Sequence, residues 1–153
     1  MGAVSVRRLG PGDEEVLNQL ARSGSRYEEP GVDEPDEVPL SPADAANFLA
    51  DDRTHLFVAH EDGDDLVGFV VANELLHRHT FTRMLIVYEV GVAEQHRRRG
   101  VGRALLDAVR ALAVERGIPE GFVLTEATNT PAMALYAAAG GTRLDAVEWD
   151  FTF

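Results

Sequence analysis

The stretch MLIVYEVGVAEQHRRRGVGRALL, residues 84–106, changes its hydrophobic period part-way along, and the reading of the fold turns on that change. Residues 84–92 are an apolar, β-branched run of strand length. Polar residues follow, then Arg97, Arg98 and Arg99, then the Gly-x-Gly of Gly100-Val101-Gly102. Beyond it Val101, Leu105, Ala108 and Leu112 fall on one helical stripe. A buried strand therefore passes through a glycine-containing turn straight into a helix N-terminus. Such a terminus suits an anion, because its first-turn N–H groups lack internal partners and the helix dipole is positive there. Gly100 and Gly102 let the backbone approach a phosphate with no Cβ in the way, and Arg97, Arg98, Arg99 and Arg103 add charge around it. The spacing is neither the G-x-G-x-x-G of dinucleotide sites nor a triphosphate loop ending in Gly-Lys-Ser/Thr. The plain alternative is a glycine turn beside a solvated arginine cluster.

Outward from this unit, 153 residues with 45% hydrophobic and 26% charged composition suggest one globular domain over 1–153. No run approaches the roughly 20 apolar residues of a membrane span, and the first residues lack the apolar region of a signal peptide. Those features point to a cytoplasmic protein with no membrane partner. Cysteine is absent, which excludes disulfides, thiolate catalysis and cysteine metal sites. The net charge of −12 argues against a nucleic-acid partner, since only the arginine loop is basic. The excess acid suits a cationic partner, whose approach it accelerates at low salt, or is ordinary solubility charge.

Before the central unit, residues 4–9 read as a strand broken by Gly10-Pro11-Gly12. Asp13, Glu14 and Glu15 stand where a helix N-terminus favours acid, and Val16, Leu17, Leu20 and Ala21 give that helix its stripe. Residues 25–40, with three prolines and the acids Glu28, Glu29, Asp33 and Glu34, form a loop too long for a plain connector. It is either an acidic lip over a site or a solvated excursion. Ser41-Pro42-Ala43-Asp44 starts a second helix: cap residue, proline in the first turn, acid at the third position. Residues 54–60 and 66–73 read as a hairpin about Gly63. His77 and His79 form a His-x-His pair, but a metal would need a third ligand, and the nearest, His96, sits in the arginine loop; no metal site is expected. After the long helix, residues 121–126 read as a strand. Asn129-Thr130-Pro131 opens a short helix that Gly140-Gly141 stops, and residues 142–153 alternate roughly as a last strand. The order gives one α/β domain with a mixed sheet.

The pattern Arg97-Arg98-Arg99-Gly100-Val101-Gly102 resembles the pyrophosphate loop of the GNAT superfamily of acetyl-CoA-dependent N-acyltransferases, and the element order is that of a GNAT fold, a mixed, mostly antiparallel sheet with about four helices. Further segments resemble the GNAT-type aminoglycoside N-acetyltransferases that act on the 3-amino group: Arg8-Leu9-Gly10-Pro11, Tyr88-Glu89-Val90-Gly91-Val92, Glu94-Gln95-His96-Arg97-Arg98, Pro131 to Tyr136, and Val147-Glu148-Trp149-Asp150-Phe151. Two positions depart from that group. It has Asp where Glu89 stands, and an acidic stretch where this chain has Thr128-Asn129-Thr130.

Acyl transfer to an amine needs a deprotonated amine, a stabilised oxyanion and a protonated thiolate. Glu89 is the base candidate. Strand alternation puts Leu85, Val87, Glu89 and Gly91 on one face, and an acid in an apolar strand is costly without a partner or a job. Burial would raise its pKa towards the working range. A structural carboxylate, bonded to backbone or arginine, is the alternative. The resemblance further implies that the strand ends splayed near Val90, Gly91 and Val92, whose free backbone groups pair with pantetheine, the Val90 N–H polarising the thioester carbonyl. It implies pantetheine binding for Asn129. Tyr136, two turns after Asn129, is the candidate acid for the thiolate, or a packing aromatic. Glu126, Glu148, Asp150, Glu28 and Glu29 are the candidate contacts to a polycationic amine, an aminoglycoside, in a homodimer of direct-transfer enzymes. Rival readings are the same chemistry on a polyamine, peptide or protein amine, and a non-catalytic coenzyme A sensor.

Overall fold

The computed structural model describes residues 2–29, 31–62 and 65–153. The chain runs β1 (Val4–Arg8), α1 (Glu14–Arg22), a 3-10 turn (Gly24–Tyr27), α2 (Pro42–Ala50), β2 (Thr54–Glu61), β3 (Asp65–Leu76) and β4 (Arg83–Val92). A 3-10 turn (Glu94–His96), α3 (Val101–Glu115), β5 (Glu120–Val123) and α4 (Thr130–Ala138) complete it. The five strands form one sheet in chain order, antiparallel except for the parallel pair β4–β5. This is the mixed GNAT architecture the pattern predicts. The hairpin turn expected about Gly63 lies outside the described residues.

Each face of the sheet carries its own core. On one side Val101, Leu105, Val109 and Leu112 of α3 meet Phe57, Val67, Val70 and Leu85. On the other, Leu20 of α1 and Leu49 of α2 meet Leu56, Val58 and Val71. Burial on both faces explains why β2 reads as a continuous apolar run rather than an alternating one. The helix starts follow the local rules. Ser41 Oγ accepts from the Asp44 N–H at 3.1 Å, and Asn129 Oδ1 accepts from the Ala132 N–H at 3.1 Å.

At the end of the sheet away from the arginine loop lies a buried ionic cluster. His55 Nε2 is 2.7 Å from Glu74 Oε1, Arg83 Nη1 is 2.8 Å from Glu74 Oε2, and Arg116 also pairs with Glu74. The side chains of His55 and Glu74 are both 0% exposed. His55 Nδ1 has no partner, which fits a neutral ring whose Nε2–H donates to Glu74 and whose Nδ1 carries only a lone pair.

The expected last strand is absent. Residues 142–153 belong to no helix or ladder, and all are exposed. Their alternation is strand-like, but a strand needs a paired neighbour, and no described strand of this chain forms a ladder with them, the outer edge of β5 included.

Candidate active site

A bulge in β4 decides where the chemistry can sit. Ala72 pairs with Val87 and Val71 pairs with Glu89, so Tyr88 is left without an opposite residue. Opposite residues share a face, and Val71 and Ala72 point to different cores. Leu85 and Val87 therefore face α3, whereas Glu89 and Gly91 turn to the side of α1 and α2. The uninterrupted alternation expected along this strand fails at Tyr88, because an extra residue reverses the parity beyond it.

β5 accompanies β4 only along Met84–Val87. Past that point the two strands have no ladder, and a cleft of about 1610 Å³ opens. Glu28, Glu37, Glu89, Glu126, Asn129 and Tyr136 line it. Glu29, Val90, Gly91 and Glu148 also border it, whereas Asp150 does not. Among the described residues the Glu89 carboxylate makes no hydrogen bond and no ion pair, so the backbone or arginine partner of a structural carboxylate is not found. The residue is exposed to the open cleft, yet the walls around its carboxyl partly desolvate it and push its pKa up, and the negative charges of Glu37 and Glu28 add to that rise. Burial likewise raises the Tyr136 hydroxyl. Both groups are thus held towards their protonated forms by the cleft walls.

The turn from β4 to α3 is built by two left-handed residues, Arg98 at φ 58° and Gly100 at φ 88°. Gly100 takes that conformation without a Cβ penalty and precedes the first turn of α3. It supplies no side-chain cap, so the amides of Val101, Gly102 and Arg103 remain open to an anion. Arg98 is not glycine, and its conformation costs about 1–2 kcal/mol. Gly102 has a packing role as well: a Cβ there would stand 2.9 Å from Leu135 of α4.

Of the four arginines, three are held by the protein itself. Arg97 Nε donates to the Val92 carbonyl at 3.0 Å, and its Nη2 donates to the Glu28 carbonyl. Arg99 Nη2 lies 2.7 Å from Glu61 Oε1, an ion pair without hydrogen-bond alignment. Arg103 bonds Asp107 at 3.0 Å and the Ala138 carbonyl at 2.8 Å, tying α3 to the end of α4. Among the described residues only Arg98 of the four has no such contact. Asn129 is engaged too: besides capping α4, its Nδ2 donates to the Glu29 carboxylate. Glu126 accepts from Thr128 at 3.3 Å. His77 pairs with Glu120 at 2.9 Å, away from His96.

Two acids escaped the sequence reading. Glu61, 4% exposed, holds Arg99 and the Nδ1 of His96 from the end of β2. Its place beside a hairpin turn suggested only solvation. Glu37, in the long loop, comes to Glu89 through tertiary packing that no local pattern signals.

Residues 18–140 match the acetyltransferase (GNAT) family. The chain belongs to that family. GNAT acetyltransferases use acetyl-CoA, and the three open amides at the α3 N-terminus fit its pyrophosphate. A mycothiol acetyltransferase of Streptomyces bingchenggensis is 29% identical over 142 residues, 91% of this chain and 43% of that protein. The chain thus spans less than half the length of the curated relatives it matches. An aminoglycoside acetyltransferase from an uncultured soil metagenomic sample superposes with a TM-score of 0.84 at 25% identity, covering 99% of each chain. An aminoglycoside N-acetyltransferase solved in complex with CoA shares the GNAT fold, with a TM-score of 0.76 at 22% identity over 99% of this chain and 96% of that one.

Proposed function

We propose that the chain is an acetyl-CoA-dependent N-acetyltransferase that moves an acetyl group directly to an amine of a polycationic small molecule, an aminoglycoside. The observation that carries this reading is Glu89: an acid with no protein partner among the described residues, raised in pKa, in a cleft that Glu28 and Glu37 make negative. A cationic amine entering there meets attraction, then a base. Glu89 takes the amine proton, directly or through a water. The Val90 N–H donates to the thioester oxygen as charge develops on it. Tyr136 returns a proton to the departing coenzyme A sulfur. No cysteine exists for an acyl-enzyme, so direct transfer goes with this reading. A single domain over 1–153, a homodimer and a cytoplasmic setting go with it as well.

The 3-amino position follows from the sequence resemblance, which the open β4 segment and the acidic cleft support only as far as an amine acceptor. The names of the curated relatives favour a second reading, a mycothiol-type acceptor. A free-thiol release assay with acetyl-CoA against gentamicin, other aminoglycosides, spermidine, peptides and the amine precursor of mycothiol, with product mass read for that last acceptor, separates these. Turnover on aminoglycosides is the expected result, with product mapping then giving the position. Turnover confined to polyamines or peptides would discard the drug acceptor, and none on any amine would discard the enzyme.

Glu61 supplies a further check on the coenzyme end. If it presents the loop for pyrophosphate, Glu61→Ala should raise the KM for acetyl-CoA about tenfold, the scale of one lost charge-assisted contact, with kcat nearly unchanged. An unchanged KM in a folded variant would limit Glu61 to a structural role.

A further inference from the structure

α4 carries two residues of the proposed site, Asn129 at its N-terminal cap and Tyr136 in its last turn. It is also the helix least held by packing. None of its side chains is buried, unlike those of α1, α2 and α3, and none belongs to either core. Most helices in a fold are held by an apolar face against the rest. Here the close apolar contact to α3 is Leu135 over Gly102.

The C-terminus of α4 is fixed instead through its carbonyls. The last four carbonyls of a helix have no partner within it. The chain's own turn satisfies two of them. The Gly141 N–H donates to the Tyr136 carbonyl at 2.9 Å and the Gly140 N–H to the Ala137 carbonyl at 3.0 Å, with Gly140 left-handed at φ 91°. The following two are satisfied from α3. Arg103 Nη1 donates to the Ala138 carbonyl at 2.8 Å, and Arg110 Nη2 donates to the Ala139 carbonyl. α4 has no basic residue in its own last turn, so α3 also supplies the positive charge that a helix C-terminus favours. Arg103 and Arg110 lie about two turns apart on one face of α3, and Asp107 between them accepts from Arg103 Nε at 3.0 Å.

We infer that Arg103 and Arg110 are positioning residues for the transfer: they clamp the end of α4 to α3 and so fix Tyr136 relative to the coenzyme. Under the proposed function the first-turn amides of α3 hold the pyrophosphate. One helix then sets both where the coenzyme is anchored and where its sulfur is protonated. The inference rests on that reading of Tyr136. Both bonds are exposed, so they act on position more than on stability. A displacement of about 1 Å at a reacting group can cost about a hundredfold in rate.

The test is the double variant Arg103→Met, Arg110→Met, which keeps the side-chain stems and removes both donors. Hydrogen exchange over the α4 amides should speed up at least about tenfold, with α3 and the sheet unchanged. On the preferred amine kcat should fall about tenfold to a hundredfold, with the KM for acetyl-CoA within about twofold of wild type. In a Tyr136→Phe background the same two substitutions should lower kcat by less than about twofold, because the group they position is gone. Unchanged exchange over α4 would overturn the inference, whether or not any amine is turned over. An equal loss of kcat in the Tyr136→Phe background would also overturn it, as would a raised KM with kcat unchanged, which would assign the arginines to the coenzyme. If the double variant misfolds, Arg110→Met alone decides by the same exchange readout, and Arg110→Lys, whose ammonium still meets the Ala139 carbonyl, should restore protection. Failure of the underlying reading looks different: Tyr136→Phe would then be as active as the wild type.

Discussion

Replacing Glu89 by Gln should lower kcat on the preferred amine by about 10²- to 10⁴-fold, the usual contribution of a positioned general base. Gln keeps the size and polarity of the side chain but accepts no proton. Since Glu89 holds no other residue in place among the described residues, the variant should fold and bind acetyl-CoA as the wild type does. The pH profile supplies a second reading. A base acts only when deprotonated, and the pKa of Glu89 is raised by partial desolvation and by Glu37 and Glu28. The acidic limb of kcat/KM should therefore lie above the ordinary carboxylate range and vanish in the variant. Removing one neighbouring charge, as in Glu37→Gln, should move that limb back towards lower pH. Activity within tenfold of wild type across the pH range would assign the proton to another acceptor.

The other large effect lies at the far end of the sheet. Glu74→Ala should cost about 3 kcal/mol of stability, read as a shift in urea midpoint. That is the low end for breaking a buried pair, because Arg83 and Arg116 are partly exposed and can turn to water, whereas His55 cannot. Acid should act on the same cluster. Burial lowers the pKa of His55 against the pull of Glu74. The folded state thus binds that proton less readily than the unfolded state, and stability falls as pH drops below about 6.5. Burial opposes the charge on Glu74, but His55, Arg116 and Arg83 together hold its pKa below the usual value. Its contribution is present above about pH 4.3 and is lost at lower pH, as its carboxylate takes up a proton. A urea midpoint that is flat between pH 7.5 and 5.5 would show His55 to be charged in the fold.

What could be read from the chain alone follows from the range of each interaction. Ser41, Pro42, Asn129 and Pro131 announce their helices because capping acts within four residues. The period change at Gly100 places α3 for the same reason. The side on which Glu89 emerges was not legible, because the bulge at Tyr88 is a property of two strands in register, Val71–Ala72 against Val87–Glu89. The gathering of Glu28 and Glu37 about Glu89, and of His96 and Arg99 about Glu61, depends on residues tens of positions apart. The tail failed for a related reason. Its alternation is intrinsic, but whether it forms a strand depends on what lies beside it.

The bulge gives β4 two registers of meaning along a single strand. Before Tyr88 the side chains of Leu85 and Val87 seal a hydrophobic layer; after it the side chain of Glu89 addresses the cleft. One additional residue acts as a phase shifter, letting the strand contribute to structure over its first half and to chemistry over its second. Alignments of relatives that score this strand without allowing a one-residue gap would compare cleft positions with core positions. They would report the acid as variable where only its phase has slipped. Excising Tyr88 would leave Glu89 opposite Val71 and still on the cleft side, whereas a redesign that straightens β4 with Tyr88 retained would carry Glu89 into the layer beneath α3.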